Sequence, residues 1–82
     1  MTERLKTANK VVGIKQLRRA LRDSAAQEVF LADDADFWLR EEVEALCQMA
    51  GLCPIRVASM KALGDACGIS VGAATAAILK GG

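Results

Sequence analysis

Glu28-Val29-Phe30-Leu31-Ala32-Asp33-Asp34-Ala35-Asp36-Phe37 is the stretch that decides the fold. Its first five residues form a compact apolar run containing a β-branched and an aromatic side chain. The run is short and shows no apolar–polar alternation. That pattern predicts a strand buried on both faces, which in turn requires covering layers above and below the sheet. The acidic segment Asp33-Asp34-Ala35-Asp36 closes the strand. Asp36 has the right chemistry to cap a helix that starts immediately after it, and the neighbouring acids suit that helix's positive end.

Downstream, Leu39, Val43, Leu46, Cys47 and Ala50 repeat at three- and four-residue spacing, which predicts a helix from Phe37 to Ala50. Glu41, Glu42 and Glu44 face away from that apolar side, and Gly51 with Pro54 provides the stop. Phe37 and Trp38 read as core or edge packing. Ile55-Arg56-Val57-Ala58 alternates like a half-buried strand. Ser59 can cap a helix over residues 60–67, which Gly68 ends. Ile69-Ser70-Val71-Gly72 reads as an exposed loop. For residues 73–80 the alanines favour helix, whereas Val71, Thr75, Ile78 and Leu79 permit a strand, and pattern alone leaves both open.

Upstream, Val11-Val12 reads as a short strand turning at Gly13 into a helix that runs to about Arg22. Neither Gly nor Pro sharpens its end at Asp23-Ser24. Thr2 to Lys10 reads as a helical lead-in with Leu5 and Ala8 as its apolar positions. Strands alternating with helices along the chain predict an α/β sandwich, a small sheet with helices on both faces.

Length and composition agree. The chain has 82 residues, 52% of them hydrophobic and 26% charged, which suits one small folded domain spanning residues 1–82. No linker or internal repeat divides it. No run of about 18 apolar residues could cross a membrane. Residues 1–10 lack the apolar core of a signal peptide, so a cytoplasmic setting is expected.

The net charge of +1 conceals segregation. Residues 1–22 carry +6, residues 23–51 carry −7 and residues 52–82 carry +2. Such asymmetry can steer a polyanion to one face. Cys47, Cys53 and Cys67 form no Cys-x-x-Cys pair, and the chain has no histidine. A four-ligand zinc site would need a carboxylate or another subunit. The three read as small buried thiols in a reducing compartment, and no metal or other cofactor is expected.

The basic charge is concentrated on the helix after Gly13. Lys15, Arg18, Arg19 and Arg22 fall within an arc of about 100° at helical spacing. Ile14, Leu17, Ala20 and Leu21 fall on the opposite side. Gly13 permits close approach of another backbone, and the first helical turn offers unpaired N–H groups and a positive dipole end. The combination suits an anionic ligand. A solvated basic face on an ordinary surface helix is the other reading of the same residues.

Four segments taken together, Gly13-Ile14-Lys15-Gln16-x-x-Arg19, Ala32-Asp33-Asp34-Ala35-Asp36, Ser59-Met60-Lys61-Ala62-Leu63-Gly64 and Ala66-Cys67-Gly68-Ile69-Ser70-Val71-Gly72-Ala73-Ala74, resemble the kink-turn RNA-binding ribosomal protein family, in particular its short bacterial members. The resemblance covers nearly the whole chain. It implies a three-layer α/β/α fold on a small mixed four-stranded sheet, with residues 73–80 as a strand. It also implies that the Gly-led helix enters a groove opened at tandem sheared G·A pairs, with Gly13, Lys15, Gln16 and Arg19 at the contact positions. Ile69, Ser70 and Val71 match the loop that covers a protruding nucleotide. Asp36 and Lys61 lie near positions that support RNA in some relatives. Arg18 and Arg22 suit sequence-blind attraction to phosphates.

There are departures. Many members have Asn-Glu where this chain has Lys15-Gln16, although Lys-Gln is like the short bacterial members; Thr or Ser is common at Ile14 and Pro at Phe37, and archaeal relatives often have Glu at Ser70. These bear on fine RNA preference. The expected function is therefore non-catalytic recognition of kink-turn RNA, ribosomal or regulatory, by a monomer. The alternative is a ribosome-associated or protein-interaction module that keeps the fold without kink-turn specificity. No histidine, nucleophile–base pair or Walker-type loop suggests an enzyme.

Overall fold

The computed structural model describes residues 9–81, so of the lead-in helix expected over Thr2 to Lys10, residues 2–8 lie outside the described residues. At the end of that segment Lys10 already belongs to a strand. Seven elements follow in order: β1 (Lys10–Val12), α1 (Ile14–Arg22), β2 (Ala26–Ala32), α2 (Phe37–Met49), β3 (Ile55–Val57), α3 (Met60–Cys67) and β4 (Thr75–Leu79). The ambiguous alanine-rich segment is a strand. β2 extends two residues ahead of the apolar run, and β3 stops one residue short of Ala58.

The four strands form one mixed sheet in the order β1-β4-β2-β3. β4 runs antiparallel to both β1 and β2, placing Ala77 opposite Val11 on one side and Val29 on the other. β2 pairs in parallel with β3, Phe30 opposite Ile55 and Ala32 opposite Val57. The unalternating run Val29–Ala32 is thus central, and all four residues are buried.

The pleat divides this run between two cores. Phe30, Ala76 and Ile78 pack with Leu63 and Cys67 of α3. Val29, Leu31 and Ala77 pack with Leu17 and Ala20 of α1 and with Val43 and Cys47 of α2. The sheet therefore lies between an α1/α2 layer and an α3 layer. Ala76 and Ala77 are fully buried, and small side chains there keep both helical layers close to the central strands. Buried Thr75 donates its hydroxyl to the Phe30 carbonyl at 2.7 Å, leaving no lone buried polar atom at the sheet centre.

The local signals act as expected at most helix ends. The Asp36 carboxylate accepts the Trp38 N–H at 3.1 Å and the Ser59 hydroxyl accepts the Ala62 N–H at 3.0 Å. Gly51 and Gly68 follow their helices in the left-handed region. At the end of α1 Ser24 adopts φ 56°, a conformation that a short polar side chain tolerates better than a branched one.

Three expectations fail. Cys53 is exposed, whereas Cys47 and Cys67 are buried. Of the core-or-edge reading of Phe37 and Trp38 the core half fails, because both stand at the surface, edge-to-face with each other at 5.2 Å. Ile69 is half-buried against the α3-side core, so only part of the 69–72 loop is exposed.

Candidate nucleic-acid interface

Strand direction brings the candidate residues to one end of the sheet. β1, β2 and β3 all finish at the end where β4 begins. The N-termini of α1, α2 and α3 and the loop leading into β4 therefore gather there. Three positive dipole ends share this edge, and of the three helices only α1 starts without a side-chain cap.

Gly13 joins β1 to α1 with φ 103°, a conformation that an L side chain rarely adopts. Its N–H donates to the Thr75 carbonyl at 3.0 Å, and its carbonyl accepts the Leu17 N–H at 3.0 Å. No side chain caps α1. A Cβ at Gly13 would lie 3.0 Å from Gln16 Oε1, so glycine also leaves room for the Gln16 amide over the helix start. Lys15, Gln16 and Arg19 are exposed and make no side-chain hydrogen bond or ion pair with the described residues.

The remaining cations of the helix differ. Arg18 donates through Nε and Nη2 to Glu42 at 2.5 and 3.0 Å. This hydrogen-bonded pairing raises the guanidinium pKa and holds the Glu42 carboxyl below the ordinary carboxylate range. Glu42 faces away from the apolar side of α2 as expected, and from there it also ties α2 to α1. Arg22 lies 3.6 Å from Asp23. The four-cation arc is thus divided into Lys15 and Arg19, unpaired among the described residues, a partly compensated Arg22 and an engaged Arg18.

The other candidates sit nearby in the fold with varied roles. Asp36 caps α2. In the same turn Asp33 pairs with Arg56 at 2.6 Å and Asp34 accepts the Met60 N–H at 2.7 Å. Lys61 is exposed on α3, 3.7 Å from Asp65. Ser70 and Val71 are exposed, Val71 at 68%, while Ile69 anchors their loop.

That loop is strapped to α3. Ile69 N–H donates to the Gly64 carbonyl at 3.1 Å, and Ala73 N–H donates to the Met60 carbonyl at 2.9 Å. Gly64 permits the approach, because a Cβ there would lie 2.1 Å from the Val71 carbonyl oxygen. Sequence reading missed Gly64, Glu42 and Thr75. A glycine inside a helix was a usable signal, since it costs about 1 kcal/mol relative to alanine without a packing reason.

The described residues contain no group of three or more His, Cys, Asp or Glu that could hold a metal ion. Burial pushes the Cys47 and Cys67 thiols up, away from the thiolate. No described helix is long and apolar enough to cross a membrane.

The profile of the ribosomal protein L7Ae/L30e/S12e/Gadd45 family matches residues 1–82. The chain belongs to that family. It is 49% identical over 70 residues to RNA-binding protein YbxF of Geobacillus stearothermophilus, with 85% of each chain covered. It is 38% identical over 72 residues to RNA-binding protein TTE2299 of Caldanaerobacter subterraneus, with 88% of each covered. The fold matches a solved Giardia lamblia 15.5kD RNA binding protein at a TM-score of 0.86 and 26% identity, over 96% of this chain and 70% of that one. A Bacillus halodurans protein of unknown function matches at a TM-score of 0.87 and 18% identity, over 98% of this chain and 84% of that one. Within the L7Ae-type fold, the glycine-led start of α1 and the loop before β4 share one edge through the Gly13–Thr75 hydrogen bond.

Proposed function

We propose that this chain is a non-catalytic RNA-binding protein that recognises kink-turn structured RNA, of ribosomal or regulatory origin, through the start of α1. The observation that carries the reading is the uncapped, Gly13-led helix end with Lys15, Gln16 and Arg19 free of described partners. The RNA-binding names of the similar proteins point the same way. Residues 1–82 would act as one binding unit.

The chemistry is coherent. A regular A-form major groove is too deep and narrow for side chains. Sheared G·A pairs beside a kink open it to a helix end. The planar Gln16 amide can donate and accept together on a base edge. Lys15 can donate to guanine O6 and N7, and Arg19 can grip guanine or a phosphate bidentately. Val71 can cover an unpaired base, held in place by the α3 strap. Arg22 supplies sequence-blind attraction, and Arg18 does so only as its bridge to Glu42 loosens.

The test is a binding titration against a kink-turn hairpin and against the same hairpin with its G·A pairs made Watson–Crick, at one fixed salt concentration. A clear preference for the kink-turn is expected. Equal affinity for the two would leave charge alone as the basis of binding and would contradict kink-turn recognition.

A further inference from the structure

The outward face of α2 carries an apolar stripe that the RNA reading does not use. At 100° per residue, Trp38, Ala45 and Met49 fall within an arc of about 40°. Val43 and Cys47 lie on the opposite, buried side. Trp38 is 75% exposed and Met49 86% exposed, and Ala45 between them is exposed too. The stripe is about 16 Å long, three turns of helix. Single exposed apolar residues are ordinary, but an aligned Trp-to-Met stripe marks an interaction surface.

Charge identifies the kind of partner. Glu41, Glu42 and Glu44 flank the stripe, Glu42 already paired with Arg18 of α1, and the only basic residue within α2 is Arg40. Arg40 is occupied elsewhere: its Nε donates to the Ala35 carbonyl at 3.0 Å and its guanidinium lies 5.9 Å from the centre of the Phe37 ring. Glu41 is exposed with no ion pair to a described residue, and Glu44 is 3.4 Å from Arg56. Such a face repels phosphates and favours cations. An anchoring Trp and an adaptable Met are the side chains that a protein partner's apolar ridge can bury.

We infer that the outer face of α2 docks a basic amphipathic helix of another protein, with its apolar ridge on Trp38, Ala45 and Met49 and its Lys/Arg flank against Glu41 and Glu44. This surface lies beside α1 in the same layer, joined to it by the Arg18–Glu42 bridge. Trp38 stands at the same end of the sheet as the start of α1 whereas Met49 lies three turns away, and the inference requires that a partner seated on the stripe leave the start of α1 open to RNA.

Trp38 is the chain's only tryptophan and reports on the stripe directly. The probe is a synthetic helical peptide of about 14 residues, long enough to span the stripe, with leucines on one face and Lys/Arg elsewhere. A twin carries Glu in place of Lys/Arg. The expected result is a saturable shift of Trp38 emission with the basic peptide alone, weakened by salt. Met49→Asp, confirmed as folded by circular dichroism, weakens it about tenfold or more. Saturating kink-turn RNA leaves the peptide's affinity unchanged. Failure of the basic peptide to bind, equal binding of both peptides, or unchanged binding to Met49→Asp overturns the inference. Competition by RNA would make the face part of a nucleic-acid surface. Self-association in sedimentation that Met49→Asp abolishes would make its occupant a second copy. Either result also overturns it.

Discussion

The Val71 carbonyl oxygen occupies the space in which a side chain on Gly64 would begin, 2.1 Å from where a Cβ would lie. The obstacle is backbone, so no rotamer change relieves it. Helix α3 and the 69–72 loop are therefore fitted to each other at one glycine, and the exposed Ser70–Val71 tip takes its position from that fit.

Gly64→Ala tests this relationship with opposing signs. Helix propensity alone favours alanine by about 1 kcal/mol. The close approach predicts instead a net destabilisation of about 1–3 kcal/mol, as overpacking commonly costs. Urea unfolding measures it, and a variant as stable as the parent or more so would show that the loop does not need the gap. RNA affinity should fall as well, because the loop tip shifts.

Thr75 poses a separate question at the sheet centre. Its buried hydroxyl donates to the Phe30 carbonyl at 2.7 Å. Thr75→Val keeps the shape and loses the donor, so stability should fall by about 1 kcal/mol. Thr75→Ser should recover the hydrogen bond at the expense of a methyl. Unaltered stability in the valine variant would mean that the hydroxyl contributes nothing net.

The Arg18–Glu42 bridge gives a pH signature. The Glu42 carboxyl is held below its ordinary value chiefly by the hydrogen bond from Arg18. Its contribution is therefore fully present above the unfolded carboxylate pKa, near about 4.3. It is lost as pH falls through the lower folded value. Melting temperatures of the parent and Glu42→Gln should differ by a constant amount above about pH 5.5 and converge in acid. A gap that widens toward acid would contradict the assignment. Glu42→Gln also releases Arg18, so RNA binding should tighten and its log–log salt slope should steepen by about one unit or slightly less.

Arg19 lies one turn beyond Lys15 and is unpaired among the described residues. Arg19→Ala should cost about 1–3 kcal/mol of kink-turn affinity. Unchanged binding by the folded variant would remove the residue from the interface.

Much of the fold was legible because its strongest signal was local. Val29–Ala32 read as a doubly covered strand from its length and lack of alternation, and Asp36, Ser59 and Gly68 marked helix ends by their own chemistry. β4 was ambiguous because its centre needs Ala76 and Ala77 to admit helices on both faces, and alanine by itself speaks for helix. The basic helix was legible as a cationic arc. Its division was not, because Glu42 reaches Arg18 across 24 positions of sequence. Whether Phe37 and Trp38 pack in the core or at an edge was not legible, since an aromatic at a helix start carries no mark of which way it faces. Gly64 was visible but unexplained until the loop lay against it.

The central claim is that the start of α1 reads the G·A pairs and does not merely attract charge. Gln16 sits over the helix start, whereas Arg22 is two turns further on, beside Asp23. The direct measurement is four dissociation constants at fixed salt: Gln16→Ala and Arg22→Ala, each on a kink-turn RNA and on its Watson–Crick counterpart, relative to the parent. Gln16→Ala should lose much more affinity on the kink-turn than on the counterpart. Arg22→Ala should lose a similar, smaller amount on both, because phosphate contacts carry no sequence information. Equal losses for Gln16→Ala on the two RNAs would contradict the claim.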